Sequence, residues 1–242
     1  MNQKTFLITG ATSGIGFTLA KHCVDLGHNV IITGRDQSKL DRVSVALGVT
    51  GYLVDNADMG QIRWLGETLK SEGKVIDGVV LNAGIFYPDV FSETTPDAFD
   101  TTMTINTKGP FFTLQALLPS LAKPASVVFI SSIAVTKSFE GCATYAASKA
   151  AFEAIVRVAN MELANTEVRI NIVRPGVTAT EIQSKAGMTK EQEDSLFESL
   201  RATPLGRGLN SADHVGAIMY LLGDDSIALR NAVIEVEGGY LL

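Results

Sequence analysis

The chain has 242 residues, of which 46% are hydrophobic and 19% charged, so it suits one α/β domain with a full core. Acidic residues outnumber basic ones by 26 to 20, which gives a net charge of −6 without a long basic run, so we expect no nucleic-acid or anionic-membrane partner. The two cysteines make no disulfide framework, the three histidines are scattered, and we expect no metal site. Membrane-spanning and signal-peptide patterns are lacking, so the cytoplasm is the expected location.

The first 33 residues predict a strand, a helix and a second strand, at 4–9, 15–26 and 29–33. Between the first two lies the loop GATSGIG, with glycines at 10, 14 and 16. Glycines let a backbone approach a pyrophosphate held at the N-terminus of the next helix, so the loop predicts dinucleotide binding. A glycine-rich turn without a ligand is the alternative. A P-loop is excluded because Phe17 and Thr18 follow Gly16.

The second strand is followed by Arg35 and Asp36, which bear on the choice of dinucleotide. An arginine suits the extra phosphate of NADP, whereas a carboxylate suits the ribose hydroxyls of NAD. Because Arg35 comes first, the sequence favours NADP over NAD.

Helices and strands continue to alternate, with helices predicted at 38–47, 60–70 and 95–121 and strands at 52–54, 76–81 and 126–131. Thr95 and Pro96 form a good helix start. Pro110 is expected to kink that helix and free backbone carbonyls near Asn106, which would hold a water; a polar residue on a solvated face is the alternative. Asn82, Ala83 and Gly84 end their strand with small side chains that would admit a flat ring or merely make a turn.

The stretch from Ser132 to Lys149 carries the strongest chemical pattern. A helix is predicted at 144–163, and Tyr145 and Lys149 are one turn apart on it, about 6 Å between Cβ atoms. An ammonium group near a phenol favours the phenolate, so the pair makes an acid/base unit. Ser132 follows the strand at 126–131 and would hydrogen-bond the oxygen that the tyrosine protonates. A chance pairing of a half-buried tyrosine with a solvated lysine is the alternative.

The last third adds a strand at 169–173, a helix at 212–222 and a strand at 233–236. Thr178 and Thr180 follow a Pro-Gly turn and would either contact a cofactor or cap the next turn. Residues 181–207 interrupt the alternation with a helix that begins in a capping box of Thr189 and Gln192. We interpret this segment as a substrate lid, with a packed surface helix as the alternative, and we expect one domain over 1–242.

Together, these motifs resemble the short-chain dehydrogenase/reductase family, in its compact single-domain branch. The matching segments are TGATSGIG at 9–16, Asp55, Asn82-Ala83-Gly84, Asn106, Ser132, YAASK at 145–149, RPGVTAT at 174–180 and VEGG at 236–239. The resemblance implies an α/β, three-layer, doubly wound Rossmann fold of about seven parallel strands flanked by helices. It also implies a nicotinamide cofactor and hydride transfer between that cofactor and a carbonyl/alcohol pair.

The same resemblance implies roles for single residues. Tyr145 would be the acid/base, Lys149 would lower the pKa of Tyr145 and bond the nicotinamide ribose, Ser132 would orient the substrate oxygen, and Asn106 would hold a water. The cofactor would contact Tyr145 and Lys149 together with Gly10, Thr12, Ser13, Gly14, Ile15, Gly16, Arg35, Asp55, Asn82, Ala83, Gly84, Pro175, Gly176, Thr178 and Thr180.

Two departures from the family pattern stand out. Leu81 replaces a second asparagine that is mainly structural, and Arg230-Asn231 replaces a Thr-Gly pair in a region of subunit contacts. We expect a homotetramer, with a dimer as the fallback.

The leading hypothesis is an NADP-preferring reductase of a small, neutral, apolar carbonyl compound, because the expected pocket walls are mostly apolar, with Lys137 and Lys185 nearby. The alternatives are an NAD-dependent alcohol dehydrogenase that works oxidatively and a non-catalytic redox sensor that binds a dinucleotide.

Overall fold

The computed structural model describes residues 3–242. The strands are β1 (Thr5–Ile8), β2 (Asn29–Gly34), β3 (Thr50–Leu53), β4 (Ile76–Leu81), β5 (Leu121–Ile130), β6 (Val168–Pro175), β7 (Thr178–Ala179), β8 (Leu209–Asn210) and β9 (Val233–Val236). The α-helices are α1 (Gly14–Asp25), α2 (Gln37–Leu47), α3 (Met59–Ser71), α4 (Pro96–Met103), α5 (Gly109–Leu117), α6 (Ala143–Glu162), α7 (Ile182–Lys185), α8 (Lys190–Ser199) and α9 (Val215–Leu222).

The main sheet has seven strands in the order β3-β2-β1-β4-β5-β6-β9, and every pair in it is parallel. The strand order reverses between β1 and β4, and open α/β sheets bind ligands at the carboxyl ends of the strands beside such a point. The predicted doubly wound sheet of about seven parallel strands is confirmed.

Helices cover both faces of this sheet. On one face the core joins α3, α5 and α6 through residues such as Leu65, Leu117 and Phe152. On the other face it joins α1, α2 and α9 through residues such as Leu19 and Leu40. Because both faces are buried, the central strands are continuous apolar runs rather than alternating ones. The three-layer prediction is confirmed.

The helix predicted over 95–121 is wrong in its detail. It is divided into α4 and α5 by a π-helical turn over Thr104–Lys108, and Leu121 already belongs to β5. Pro110 has no N–H to donate to the carbonyl of Asn106, so the regular hydrogen-bond pattern cannot run through this point. A wider turn, in which Gly109 N donates to the Thr104 carbonyl, takes up the mismatch.

The small β7–β8 sheet was not predicted, because its strands have only two residues each. The helix predicted from 212 begins with a 3₁₀ turn over Ser211–His214, and α9 follows it. The capping box of Thr189 and Gln192 at the start of α8 is confirmed. Within residues 3–242, no helix combines the length and the apolar character needed to cross a membrane.

Candidate functional site

A cavity of about 450 Å³ opens at the carboxyl ends of the central strands. The predicted site residues that line it are Gly10, Thr12, Ser13, Gly14, Ile15, Arg35, Asp55, Asn82, Ala83, Gly84, Ser132, Tyr145, Lys149, Pro175, Gly176, Thr178 and Thr180. Gly16 and Asn106 were also predicted, and neither is among the lining residues. The fold therefore brings together segments that are far apart in the sequence.

The three glycines of the first loop occupy their positions for different structural reasons. Gly10 and Gly14 have φ values of 63° and 60°, in the left-handed region that favours glycine. A Cβ atom on Gly16 would lie 2.5 Å from Nδ2 of Asn82, so Gly16 permits close packing between α1 and the end of β4. This packing explains why Gly16 does not line the cavity.

The N-terminus of α1 fits an anion. The helix begins at Gly14, and the Ser13 side chain makes no capping hydrogen bond. The first N–H groups of a helix have no partners within it, and here Ser13, Gly14 and Ile15 line the cavity. A pyrophosphate bound there would accept from these groups and would be favoured by the helix dipole. The loop therefore fits the phosphates of a dinucleotide.

Asn82 holds the glycine loop in place. Its Nδ2 donates to the carbonyls of Thr9 at 2.9 Å and Gly10 at 3.1 Å, and its backbone N donates to Oγ1 of Thr9 at 3.0 Å. Its side-chain N–H groups thus bind the loop backbone, and the predicted position of Asn82 near a ribose stays a prediction. These partners are 73 and 72 residues away along the chain, and a local pattern cannot predict them.

Arg35 and Asp36 differ in what their side chains do. The Asp36 carboxylate caps α2 by accepting from Lys39 N at 2.9 Å. Arg35 is exposed and lines the cavity.

Tyr145 lies in the cavity beside Phe86, whose ring centroid is 5.0 Å from that of Tyr145. Burial raises the pKa of Tyr145 to about 12, and the nearby Ser132 hydroxyl opposes that rise. Burial therefore opposes the lowering of this pKa predicted from Lys149, which stays a prediction. At neutral pH the phenol keeps its proton, the state that a proton donor needs.

Lys149 is buried, with 4% of its surface exposed, and its Nζ donates to the Ile130 carbonyl at 2.9 Å. Nζ also lies 5.9 Å from the centroid of the Tyr145 ring. Burial lowers the pKa of Lys149 to about 8, and the Glu153 carboxylate opposes that shift. The ammonium form therefore remains the main one at pH 7.

The Asn106 side chain is wholly buried and joins two segments. Its Oδ1 accepts from Ile85 N at 2.8 Å, and its Nδ2 donates to the Ile85 carbonyl at 2.9 Å and to Oγ of Ser148 at 3.1 Å. It therefore fixes the loop after β4 against α6, and a solvated position is excluded. Any role in holding a water falls to the Asn106 carbonyl, which Pro110 cannot engage.

Thr178 and Thr180 both line the cavity and both make local bonds. Thr180 Oγ1 accepts from Ile182 N at 3.2 Å, which is the capping role that the sequence left open. Thr178 Oγ1 donates to the Gly176 carbonyl at 2.8 Å and lies 2.8 Å from Nε2 of the buried His214. Burial lowers the pKa of His214 to about 4, so a neutral imidazole positions Thr178 at neutral pH.

Sequence reasoning missed a buried ion pair one turn beyond Lys149. Glu153 is 5% exposed, and its carboxylate accepts from Nε of Arg174 at 2.9 Å, from Nη2 of Arg174 at 2.6 Å and from Oγ of Ser131 at 2.6 Å. Arg174 also donates from Nη1 to Glu235 at 2.9 Å. The four-residue spacing of Tyr145, Lys149 and Glu153 was the available signal, because it places all three on one helix face.

Comparisons with known proteins agree with this geometry. A family model described as enoyl-(acyl carrier protein) reductase matches residues 10–241. The oxidoreductase asL5 of Sarocladium schorii is 34% identical over 247 residues, which cover 99% of this chain and 96% of that protein. Human dehydrogenase/reductase SDR family member 4 is 29% identical over 98% of this chain and 87% of its own length.

Two solved structures share the fold. A short-chain dehydrogenase/reductase (glucose/ribitol dehydrogenase) from Brucella melitensis has a TM-score of 0.90 at 27% identity, over 98% of this chain and 96% of its own. Levodione reductase has a TM-score of 0.88 at 23% identity over the same shares, 98% and 96%, and shows the fold alone. The chain therefore belongs to the short-chain dehydrogenase/reductase family and is an NAD(P)-dependent oxidoreductase that acts on alcohol or carbonyl groups.

Proposed function

We propose that this protein is an NADP-preferring reductase that converts a small, uncharged carbonyl compound to an alcohol. The observation that carries the proposal is the placement of Ser132, Tyr145 and Lys149 together in a cavity that fits a dinucleotide. The alternative, oxidation of an alcohol with NAD, needs a phenolate that takes up a proton. Because the same groups serve both directions, the choice of reduction rests on the preference for NADP.

In this proposal, Tyr145 donates its proton to the carbonyl oxygen as that oxygen becomes negative. The Ser132 hydroxyl donates a hydrogen bond to the same oxygen and orients it, which also stabilises the developing charge. Lys149 supplies a buried positive charge near the phenol and stabilises the tyrosinate left by proton transfer. A bound reduced nicotinamide supplies the hydride.

The proposed cofactor site extends along the cavity from the glycine loop. Gly10, Thr12, Ser13, Gly14 and Ile15 would hold the pyrophosphate, Asp55 the adenine end, and Asn82, Ala83 and Gly84 the ribose region. A Cβ atom on Gly84 would lie 3.2 Å from Nζ of Lys149, a tight contact, so glycine leaves more room for that lysine. Pro175, Gly176, Thr178 and Thr180 would contact the nicotinamide end, with Lys149 on its ribose.

The choice of NADP rests on what Arg35 and Asp36 do. A carboxylate that binds the ribose hydroxyls would favour NAD, but the Asp36 carboxylate caps α2. Arg35 lines the cavity beside the end of β2, where the guanidinium would bind a 2′-phosphate in a bidentate manner.

Arg35→Ala is expected to remove most of the preference for NADPH over NADH, since the 2′-phosphate loses its cation. Fluorescence titrations of both cofactors at one salt concentration measure this preference. We expect NADPH to bind the wild type at least about tenfold more tightly than NADH, and the variant to lose about 1.4 kcal/mol of that difference. Arg63→Ala, on the exposed side of α3, is the control. Equal binding of both cofactors by the wild type would contradict the choice of NADP.

We propose one domain over 1–242 with residues 181–207 as a substrate lid. The lid is supported by Ile182, Met188 and Leu196, which line the cavity, and by Glu181, which pairs with Lys39 of α2 at 2.9 Å. We also propose a homo-oligomer, a tetramer or else a dimer. Its support is apolar exposure on α5 and α6, where Phe111, Phe112, Val158 and Met161 are 39%, 38%, 54% and 78% exposed.

A non-catalytic redox sensor is the remaining alternative. A sensor needs the glycine loop but not the arrangement of Ser132, Tyr145 and Lys149, so that arrangement favours the enzyme.

A further inference from the structure

Aromatic rings from three separate segments line the cavity around Ser132. Phe86 and Tyr87 follow β4, Phe139 and Tyr145 lie before and in α6, and Tyr240 follows β9. These five rings and the lid line one part of the cavity, which we call the substrate end. Rings that converge on a cavity offer flat apolar surfaces, which hold a flat apolar ligand by stacked or edge-on contact.

Tyr240 is fixed at this end by several contacts. Its ring lies nearly parallel to that of Phe139, at 4° and 6.0 Å between centroids. Nζ of Lys137 lies 3.9 Å from the centroid of the Tyr240 ring and donates to the Tyr240 carbonyl at 2.8 Å. The Glu237 carboxylate accepts from Gly239 N at 3.0 Å and from Leu241 N at 2.8 Å, which holds the backbone on both sides of Tyr240. A wall that is already ordered loses little entropy when a ligand binds.

Each lysine near the substrate end already has a partner within the protein. Lys137 is engaged with the Tyr240 carbonyl and ring, and Lys185 is paired with Glu181 at 2.9 Å. Lys149 donates to the Ile130 carbonyl. An anionic substrate, or one carried on a phosphate-linked arm, would have to compete with these partners for a cation. The substrate end therefore suits an uncharged molecule.

We propose that Tyr240, held by Lys137 and stacked on Phe139, determines substrate specificity, and that the substrate is an uncharged ketone carrying a planar ring. This inference rests on the proposed carbonyl reduction for its ketone and on the aromatic wall for its ring. Tyr240 contacts the ring in this proposal and takes no part in proton transfer.

The test compares acetophenone with cyclohexyl methyl ketone, which have the same number of carbon atoms and differ in the flatness of the ring. Calorimetric titrations in the presence of NADP⁺, which prevents turnover, give the dissociation constant of each ketone. We expect the wild type to bind acetophenone more tightly than cyclohexyl methyl ketone. In Tyr240→Leu, the ratio of the two dissociation constants should fall about two- to tenfold, the range of one aromatic contact. Tyr240→Phe keeps the ring and should keep the ratio.

Further measurements distinguish the loss of the Tyr240 ring from a general effect on the fold. Tyr220→Leu removes an exposed tyrosine of α9, outside the residues that line the cavity, and should leave the ratio unchanged. Phe139→Leu should lower the ratio as Tyr240→Leu does, and it serves as the test if Tyr240→Leu does not fold. The NADP⁺ affinity and the unfolding midpoint show that each variant is intact.

The outcomes distinguish the inference from the proposed function. An unchanged ratio in a folded Tyr240→Leu, a ratio lost equally in Tyr240→Phe, or a wild type that binds neither ketone would each overturn the inference. If the wild type shows the expected binding ratio but reduces neither ketone with NADPH, the proposed function fails while the assignment of the aromatic wall stands.

Discussion

Tyr145→Phe is expected to lower kcat for ketone reduction by about 10²–10⁴-fold, the usual contribution of a positioned proton donor. Phenylalanine keeps the ring that packs against Phe86 but has no hydroxyl, so the developing alkoxide receives no proton. The affinity for NADPH should stay nearly the same, because one hydroxyl is lost from a large binding surface. Steady-state kinetics and a fluorescence titration of NADPH measure the two quantities.

The matched control for this change is Tyr220→Phe, which removes a hydroxyl from an exposed tyrosine on α9 and should leave kcat unchanged. If Tyr145→Phe retains wild-type turnover, the proton comes from another group and the assignment of Tyr145 is wrong. If it loses NADPH binding together with turnover, the phenol serves the cofactor more than the proton transfer.

Glu153→Ala is expected to lower the free energy of unfolding by about 3–5 kcal/mol, the cost of breaking a buried ion pair from one side. The change leaves the Arg174 guanidinium, whose side chain is 15% exposed, without its bidentate partner and the buried Ser131 hydroxyl without its acceptor. Glu235 alone, with its side chain 34% exposed, would then face the positive charge. Urea denaturation of the wild type and the variant measures the difference.

Glu181→Ala, which removes an exposed ion pair, is the control for Glu153→Ala. Glu181 also pairs with two cations, Lys39 and Lys185, but its side chain is 47% exposed. Pairs of this kind contribute about 0–1 kcal/mol each, so the variant should lose far less than Glu153→Ala. Equal losses from the two substitutions would show that the Glu153–Arg174 ion pair stabilises the fold no more than an exposed pair.

Patterns that act over short distances were predictable from the sequence. The spacing of Tyr145 and Lys149 depends only on the turn of a helix, and both line the cavity as expected. The central strands are apolar runs because helices bury both faces of the sheet, so β1, β4 and β6 were predicted closely, whereas β5 begins at Leu121 and not at the predicted 126. The capping role of Asp36 was also within reach, because a capping aspartate three residues before its donor is a local signal.

Contacts between distant segments were not predictable. Gly16 packs on Asn82, and Asn106 bonds Ile85, which is 21 residues away, and neither contact follows from a local pattern. Tyr240 gave no local signal, because its partner Lys137 is 103 residues away. The burial that raises the pKa of Tyr145 depends on the folded surroundings, so the sequence could not predict its size beside the effect of Lys149.

The most direct test of carbonyl reduction follows a deuterium atom from the transferred position of [4-²H]NADPH into 2-cyclohexenone. This ketone offers both a C=O and a C=C bond, and the matching family model is described as an enoyl reductase. If the protein reduces carbonyl groups, the product is an allylic alcohol with deuterium on the carbinol carbon, because Tyr145 and Ser132 are placed to serve a carbonyl oxygen. A saturated ketone with deuterium on the β-carbon, or no deuterium in any product, would contradict it.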